Sequence, residues 1–253
     1  MDAGRVVDTW ERVVWASTPI AQAAVLATIV LRGIVRDFRV FVIYLLADML
    51  VAATLWWLGR SPDTEAYREV WVTTKPLLLI FQILVVLEFY RLLYRAYPGI
   101  QAFARVLILV AIGVALAVTF GTVQLDVHRI VWRFPDVQRL FVVTRVVSSL
   151  LGFLMFTTMA FFPKAPSARN LLLHGWLLAL LFIAAAGGFF GINVGLATAW
   201  MGALFMTVQL CCFAIWAVAL RSPYVKAKPS AEAMARTERW NKDLMVFARW
   251  LIR

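Results

Sequence analysis

Five polar residues of this sequence sit where little else is polar: Tyr44, Asp48, Glu88, Arg91 and Arg145. Asp48 is the only charged residue between Val40 and Leu58. If that run crosses a bilayer, Asp48 lies ten residues past Phe38, near the centre, where a lone charge costs about 2.5–3.5 kcal/mol on insertion scales. Phe41, Tyr44, Asp48, Ala52 and Leu55 follow helical spacings of three and four, so they share one face, expected to point inward. Two chemistries fit this face. Asp48 binds a proton, a cation or a polar ligand, or it is a structural acid hydrogen-bonded to Tyr44 or to another helix. Glu88 falls in the inner half of the next apolar run with Arg91 three residues on, a spacing that allows a same-helix ion pair. Its alternative is a polar relay with Asp48. Arg145 stands in the outer part of a later apolar run. With His128, Arg129 and Arg133 it makes a basic outer mouth suited to an anionic ligand or headgroup, unless it snorkels toward Asp126, Asp136 or lipid phosphate.

The aromatic residues offer a second kind of site. Trp15, Trp56, Trp57, Trp71 and Trp200 all fall near one set of run ends, where they either line an outer ligand pocket or form an interfacial belt. The belt reading takes in all eleven tryptophans, with Trp10 and Trp132 at outer ends and Trp176, Trp216, Trp240 and Trp250 at or beyond inner ends. In the tail, Trp240, Leu244, Phe247 and Leu251 form one apolar stripe, and Arg236, Arg239, Lys242, Arg249 and Arg253 fall largely elsewhere on the wheel. Pro229-Ser230 supplies a breaker and an N-cap before it. This is a basic amphipathic helix for the inner leaflet or for a partner protein.

Known catalytic patterns are missing from the sequence. Cys211 and Cys212 are adjacent in an apolar run and suit neither a mutual disulfide nor a metal site. The two histidines, His128 and His174, fall on opposite sides of the expected membrane, which leaves bis-histidine haem and His-rich zinc unsupported. No GxSxG elbow, HExxH pair or phosphate-binding glycine loop occurs. We expect no enzyme, no metal and no cofactor, with a bound lipid or hydrophobic ligand as the remaining class of small molecule.

The elements that position these residues follow from composition. Of 253 residues 63% are apolar and 15% charged, against roughly 45–50% and 25% in soluble domains. A span needs about 20 mostly apolar residues. That criterion predicts an all-α integral membrane protein of seven spans, at about 13–32, 38–59, 75–95, 104–125, 138–162, 170–190 and 196–220. An N-terminal segment (1–12) precedes them; a linker (221–229) and the tail helix (230–253) follow. The break between the last two spans is placed at Gly191–Gly195, and Ala184, Gly187, Gly188, Gly191 and Gly195 are expected to let helices approach closely.

Charge sets the orientation. Loops 32–39, 91–105, 163–169 and the tail hold sixteen lysines and arginines, and the opposite loops hold eight. The opposite loops also hold eight acids, so the surplus behind the net charge of +11 lies on one face. That face is expected to be cytoplasmic, beside anionic inner-leaflet lipid, with no nucleic-acid role. The N-terminus is then outside and the C-terminus inside. Residues 1–12 carry three acids and two bases, unlike the basic n-region of a signal peptide, so the first run is expected to be retained.

Phe38-x2-Phe41-x2-Tyr44, Tyr67-x3-Trp71, Leu87-Glu88-x2-Arg91 and Tyr97-Pro98 together resemble a family of bacterial seven-helix membrane proteins described only as hypothetical, over roughly 38–220. The resemblance implies the fold and a bacterial cytoplasmic membrane, and it implies no activity. The layout is also similar to the seven-helix sensory modules of bacterial receptors, which usually carry a cytoplasmic output domain that this sequence does not show. The functional expectation is a non-catalytic, sensor-like module or accessory subunit of a membrane complex, engaging another membrane or cytoplasmic protein. The alternative is a small proton- or ion-coupled transporter or channel using Asp48 and Glu88.

Overall fold

The computed structural model describes residues 3–60, 64–93, 135–161, 169–193 and 198–220, with isolated positions 113, 231, 235 and 239. Among them are six helices and no strand: α1 (Ala3–Leu31), α2 (Arg39–Leu58), α3 (Thr64–Leu93), α4 (Pro135–Phe161), α5 (Arg169–Asn193) and α6 (Thr198–Ala219). All six are long and apolar enough to cross a membrane, as a multi-pass membrane protein requires. The expected span at 104–125, the outer residues His128, Arg129 and Arg133, and most of the tail lie outside the described residues.

Two helices reach further than hydropathy marks them. α1 begins at Ala3, so most of the expected N-terminal segment is helical. α3 begins at Thr64, eleven residues before the expected start. The extra turns are polar, and helix formation does not require an apolar run. Each of these helices contains a proline, Pro19 in α1 and Pro76 in α3, which removes one backbone donor. The turn before each proline is tied back by hydroxyls: Ser17 and Thr18 donate to the Val13 and Val14 carbonyls, and Thr73 and Thr74 donate to Glu69 and Val70. Bonded this way, the four hydroxyls are satisfied within their own helix, as polar groups in lipid must be. α5 continues through Gly191 to Asn193, so the break before α6 lies later than the glycine pair suggested.

The helices close into a ring in chain order, α1 packing on α6. Side-chain contacts give their directions. α2 is antiparallel to both neighbours: Gln22 meets Asp48 while Trp15 and Trp56 line one groove, and Val40 meets Glu88 while Tyr44 meets Gln82. α4 and α5 are antiparallel, as Phe141 meets Phe189 and Phe156 meets Trp176. α3 and α4 are parallel: Trp71 packs on Phe141, and Tyr90 bonds Thr158. α1 and α6 are parallel as well, with Trp10 bonded to Thr207 and Thr28 to Ala217.

The α4–α5–α6 side is packed through glycine. A Cβ on Gly152 would stand 2.9 Å from Ile183, one on Gly175 would stand 2.5 Å from Met159 Sδ, and one on Gly191 would stand 2.8 Å from Met201. Gly188 faces Phe205, whereas Gly187 meets nothing within 4 Å. The packed row is therefore Gly188–Gly191, with Gly187 turned away.

Candidate functional site

Gln22, Tyr44, Asp48, Gln82 and Glu88 place amide, phenol and carboxyl groups on facing sides of α1, α2 and α3. Gln22 is completely buried, and its Nε2 donates to Asp48 Oδ2 at 2.6 Å. One turn earlier on α2, the Tyr44 hydroxyl accepts from Gln82 Nε2 at 3.4 Å. Lys75 lies on α3 with its Nζ 5.5 Å from the Phe189 ring centre. Asp48 is thus held by an amide from α1. Gln22 Oε1 and Gln82 Oε1 are buried acceptors with no hydrogen-bond partner among the described residues. The arrangement joins three helices through groups that lipid cannot solvate.

Lys75 was expected at the very start of a span, and the structure puts it eleven residues past the start of α3. The antiparallel pairing contains the signal that would have found it. Val40 lies opposite Glu88 and Tyr44 opposite Gln82, so Asp48 falls opposite about position 78, within one turn of Lys75. Gln22 was missed because an amide in an apolar run carries no charge to draw attention to it.

Glu88 does different work. Its Oε1 accepts the Val40 N–H at 2.9 Å and its Oε2 the Phe41 N–H at 3.0 Å. These are among the first N–H groups of α2, and Phe38 at the N-cap has no side-chain acceptor to offer them. A carboxylate from α3 therefore caps α2, where the orphan donors and the helix dipole both favour an anion. Arg91 Nη2 stands 3.6 Å from Glu88 Oε1, with half of its side chain exposed. Glu88 and Asp48 have separate partners, and the relay between them is not formed. Arg145 is half-buried on α4.

Above Asp48 lies a groove of about 230 Å³ between α1 and α2, lined by Trp15, Ala16, Pro19, Ala52, Ala53 and Trp56. Proline and alanine keep the walls thin, and Gln22 and Asp48 lie one turn below Pro19 and Ala52. Of the five tryptophans expected to form an outer pocket, the structure brings Trp15 and Trp56 together. Trp57 is 70% exposed, Trp71 packs on Phe141 across to α4, and the side chain of Trp200 lies outside the described residues. Arg60 stacks on Trp56, its guanidinium carbon 3.4 Å from the ring centre.

A belt does not account for Trp216. It is fully buried, 5.0 Å from Phe41 and 5.4 Å from His174 between ring centres. His174 lies edge-on to Phe38 and Phe41 at 5.1 and 4.9 Å. This aromatic core fills the space between α2, α3, α5 and α6. No family model, curated protein or solved structure matches the chain. The site is therefore read from its own geometry. Among the described residues no cluster of three His, Cys, Asp or Glu could hold a metal. In the tail, Arg239 is exposed and its Nε donates to the Ala235 carbonyl at 3.5 Å; the stripe Trp240, Leu244, Phe247 and Leu251, with Arg236, Lys242 and Arg249, lies outside the described residues.

Proposed function

We propose that the protein is a non-catalytic, seven-crossing module of a bacterial cytoplasmic membrane, sensor-like, which receives a ligand in the α1/α2 groove and engages a partner through its basic inner face and C-terminal helix. The observation that carries this reading is the position of the Gln22–Asp48 bond, one turn below the groove floor. A molecule that enters between Trp15 and Trp56 and spreads α1 from α2 acts on the polar bond joining those two helices. Tyr44, one turn from Asp48 on α2, is bonded to Gln82 on α3, so a local displacement reaches three helices.

The seventh crossing is supported by the parallel register of α3 and α4. The chain leaves α3 at one end of the bundle and enters α4 at the other, and residues 104–125 are uncharged apart from Arg105 and long enough to make the return. The charge asymmetry between loops supports a cytoplasmic C-terminus.

Extraction of the full chain from its native membrane into lipid nanodiscs, without detergent, tests the module reading. The chain is expected in a larger assembly that is lost on removal of residues 230–253. A lone chain, with or without the tail, overturns it. The rival transporter reading draws on Asp48 alone, because the Glu88 oxygens are taken by α2. Proton or cation flux in liposomes that disappears in Asp48→Asn would replace the module reading with that one.

A further inference from the structure

We propose that the α1/α2 groove holds one anionic phospholipid of the leaflet at its Trp15–Trp56 end, with the phosphate on Arg12 and Arg60 and an acyl chain along Ala16, Pro19, Ala52 and Ala53. The proposal rests on the ligand-receiving reading of the groove and names its occupant. The volume of about 230 Å³ exceeds the roughly 150 Å³ apolar cavity that admits a benzene ring. A groove walled by alanine and proline between two tryptophans suits a flexible apolar chain, and the polar Gln22–Asp48 contact lies one turn below it.

Charge at the mouth selects the headgroup. Arg60 is held over Trp56 at 3.4 Å, which fixes its guanidinium at the rim. Arg12 is three residues before Trp15 and therefore on the same face of α1. The antiparallel register that sets Gln22 against Asp48 brings position 12 opposite about position 58, within a turn of Arg60. Both arginines are exposed. Glu65, a few residues on, is tied to Arg68 at 2.8 Å. Two guanidinium groups above an apolar slot match a phosphate with its chain, since arginine binds phosphate through paired, charge-assisted hydrogen bonds. A headgroup with no compensating cation gains most from this pair.

Native mass spectrometry of the full chain, titrated with phosphatidylglycerol and with phosphatidylcholine, tests the proposal. The expected result is one retained phosphatidylglycerol, bound about tenfold more tightly than phosphatidylcholine, the effect of one charge-assisted contact. Arg12→Gln and Arg60→Gln each reduce that retention by about tenfold, and Arg60→Lys reduces it less. Ala53→Trp, on the exposed wall, blocks the slot with both arginines intact and also lowers retention. Equal retention of the two lipids, or unchanged retention in the glutamine variants, overturns the headgroup assignment; unchanged retention in Ala53→Trp overturns the groove. The readout is independent of partner assembly. Loss of lipid selection with a tail-dependent assembly intact sinks this proposal and leaves the module reading standing, and the reverse outcome does the opposite.

Discussion

The two sides of the ring are held together differently. In α4 and α5, 50% and 56% of the most apolar stretch is buried, against 22% in α1, α2 and α3 on the other side and in α6, where the ring closes. Gly152 lets α4 and α5 come close, Gly175 seats Met159 and Phe89, and Gly188 and Gly191 seat α6 side chains on α5, with contact between apolar surfaces doing the rest. The α1–α3 side is joined by polar links: Gln22 to Asp48, Tyr44 to Gln82, and Glu88 to the start of α2. In lipid there is no hydrophobic force between helices, so association rests on close packing or on hydrogen bonds. Close packing opposes any displacement. A hydrogen bond between the sparsely packed α1 and α2 permits one, and the groove lies between those two helices.

Over-filling the tight side is expected to have the largest effect. Gly175→Leu forces a side chain into Met159 and Phe89 and lowers stability by about 3 kcal/mol, whereas Gly187→Leu, with open space around it, changes it little. Thermal unfolding of the two variants in detergent makes the comparison; equal losses would mean the packing faces are misassigned. On the polar side, Glu88→Ala leaves the Val40 and Phe41 N–H groups unpaired and costs about 2 kcal/mol. Glu88→Gln keeps an acceptor and loses less. Arg91→Gln loses little, because a half-exposed ion pair contributes about 1 kcal/mol or less. If Arg91→Gln matched Glu88→Ala, the ion pair and not the cap would be the main role. Gln22→Leu is expected to cost about 1 kcal/mol and to widen the distribution of distances between spin labels on α1 and α2. An unchanged distribution would show that the bond to Asp48 does not set the spacing of those helices.

Much of this architecture was legible in the sequence, and the reason is physical. Twenty apolar residues have few ways to exist except across a bilayer, so the cores of all six described helices were visible as runs. Their polar extensions, Ala3–Arg12 and Thr64–Lys75, were not, because hydropathy reports lipid contact and not helix. Asp48 stood out because it is charged. Its partner Gln22 did not, being neutral, and Lys75 was hidden by its place at the start of a span. Glu88 was read with one of its partners: the pair with Arg91 is local and forms, whereas the bond to α2 depends on how two helices meet. Trp216 shows the same limit. Position near a span end suggested a belt, and only the helix packing reveals that this end is covered by Phe41 and His174.

The parallel contact of α1 with α6 bears on how the protein is made. Trp10 and its partner Thr207 are 197 residues apart, about 10–40 s of ribosomal travel at 5–20 residues per second. During that interval α1 is in the membrane without its neighbour, and Asp48, only 26 residues after Gln22, becomes available long before Thr207 does. Insertion therefore starts with a polar hairpin and ends when the last helix seals the ring, which makes the newborn protein open on the side where the oldest helix waits.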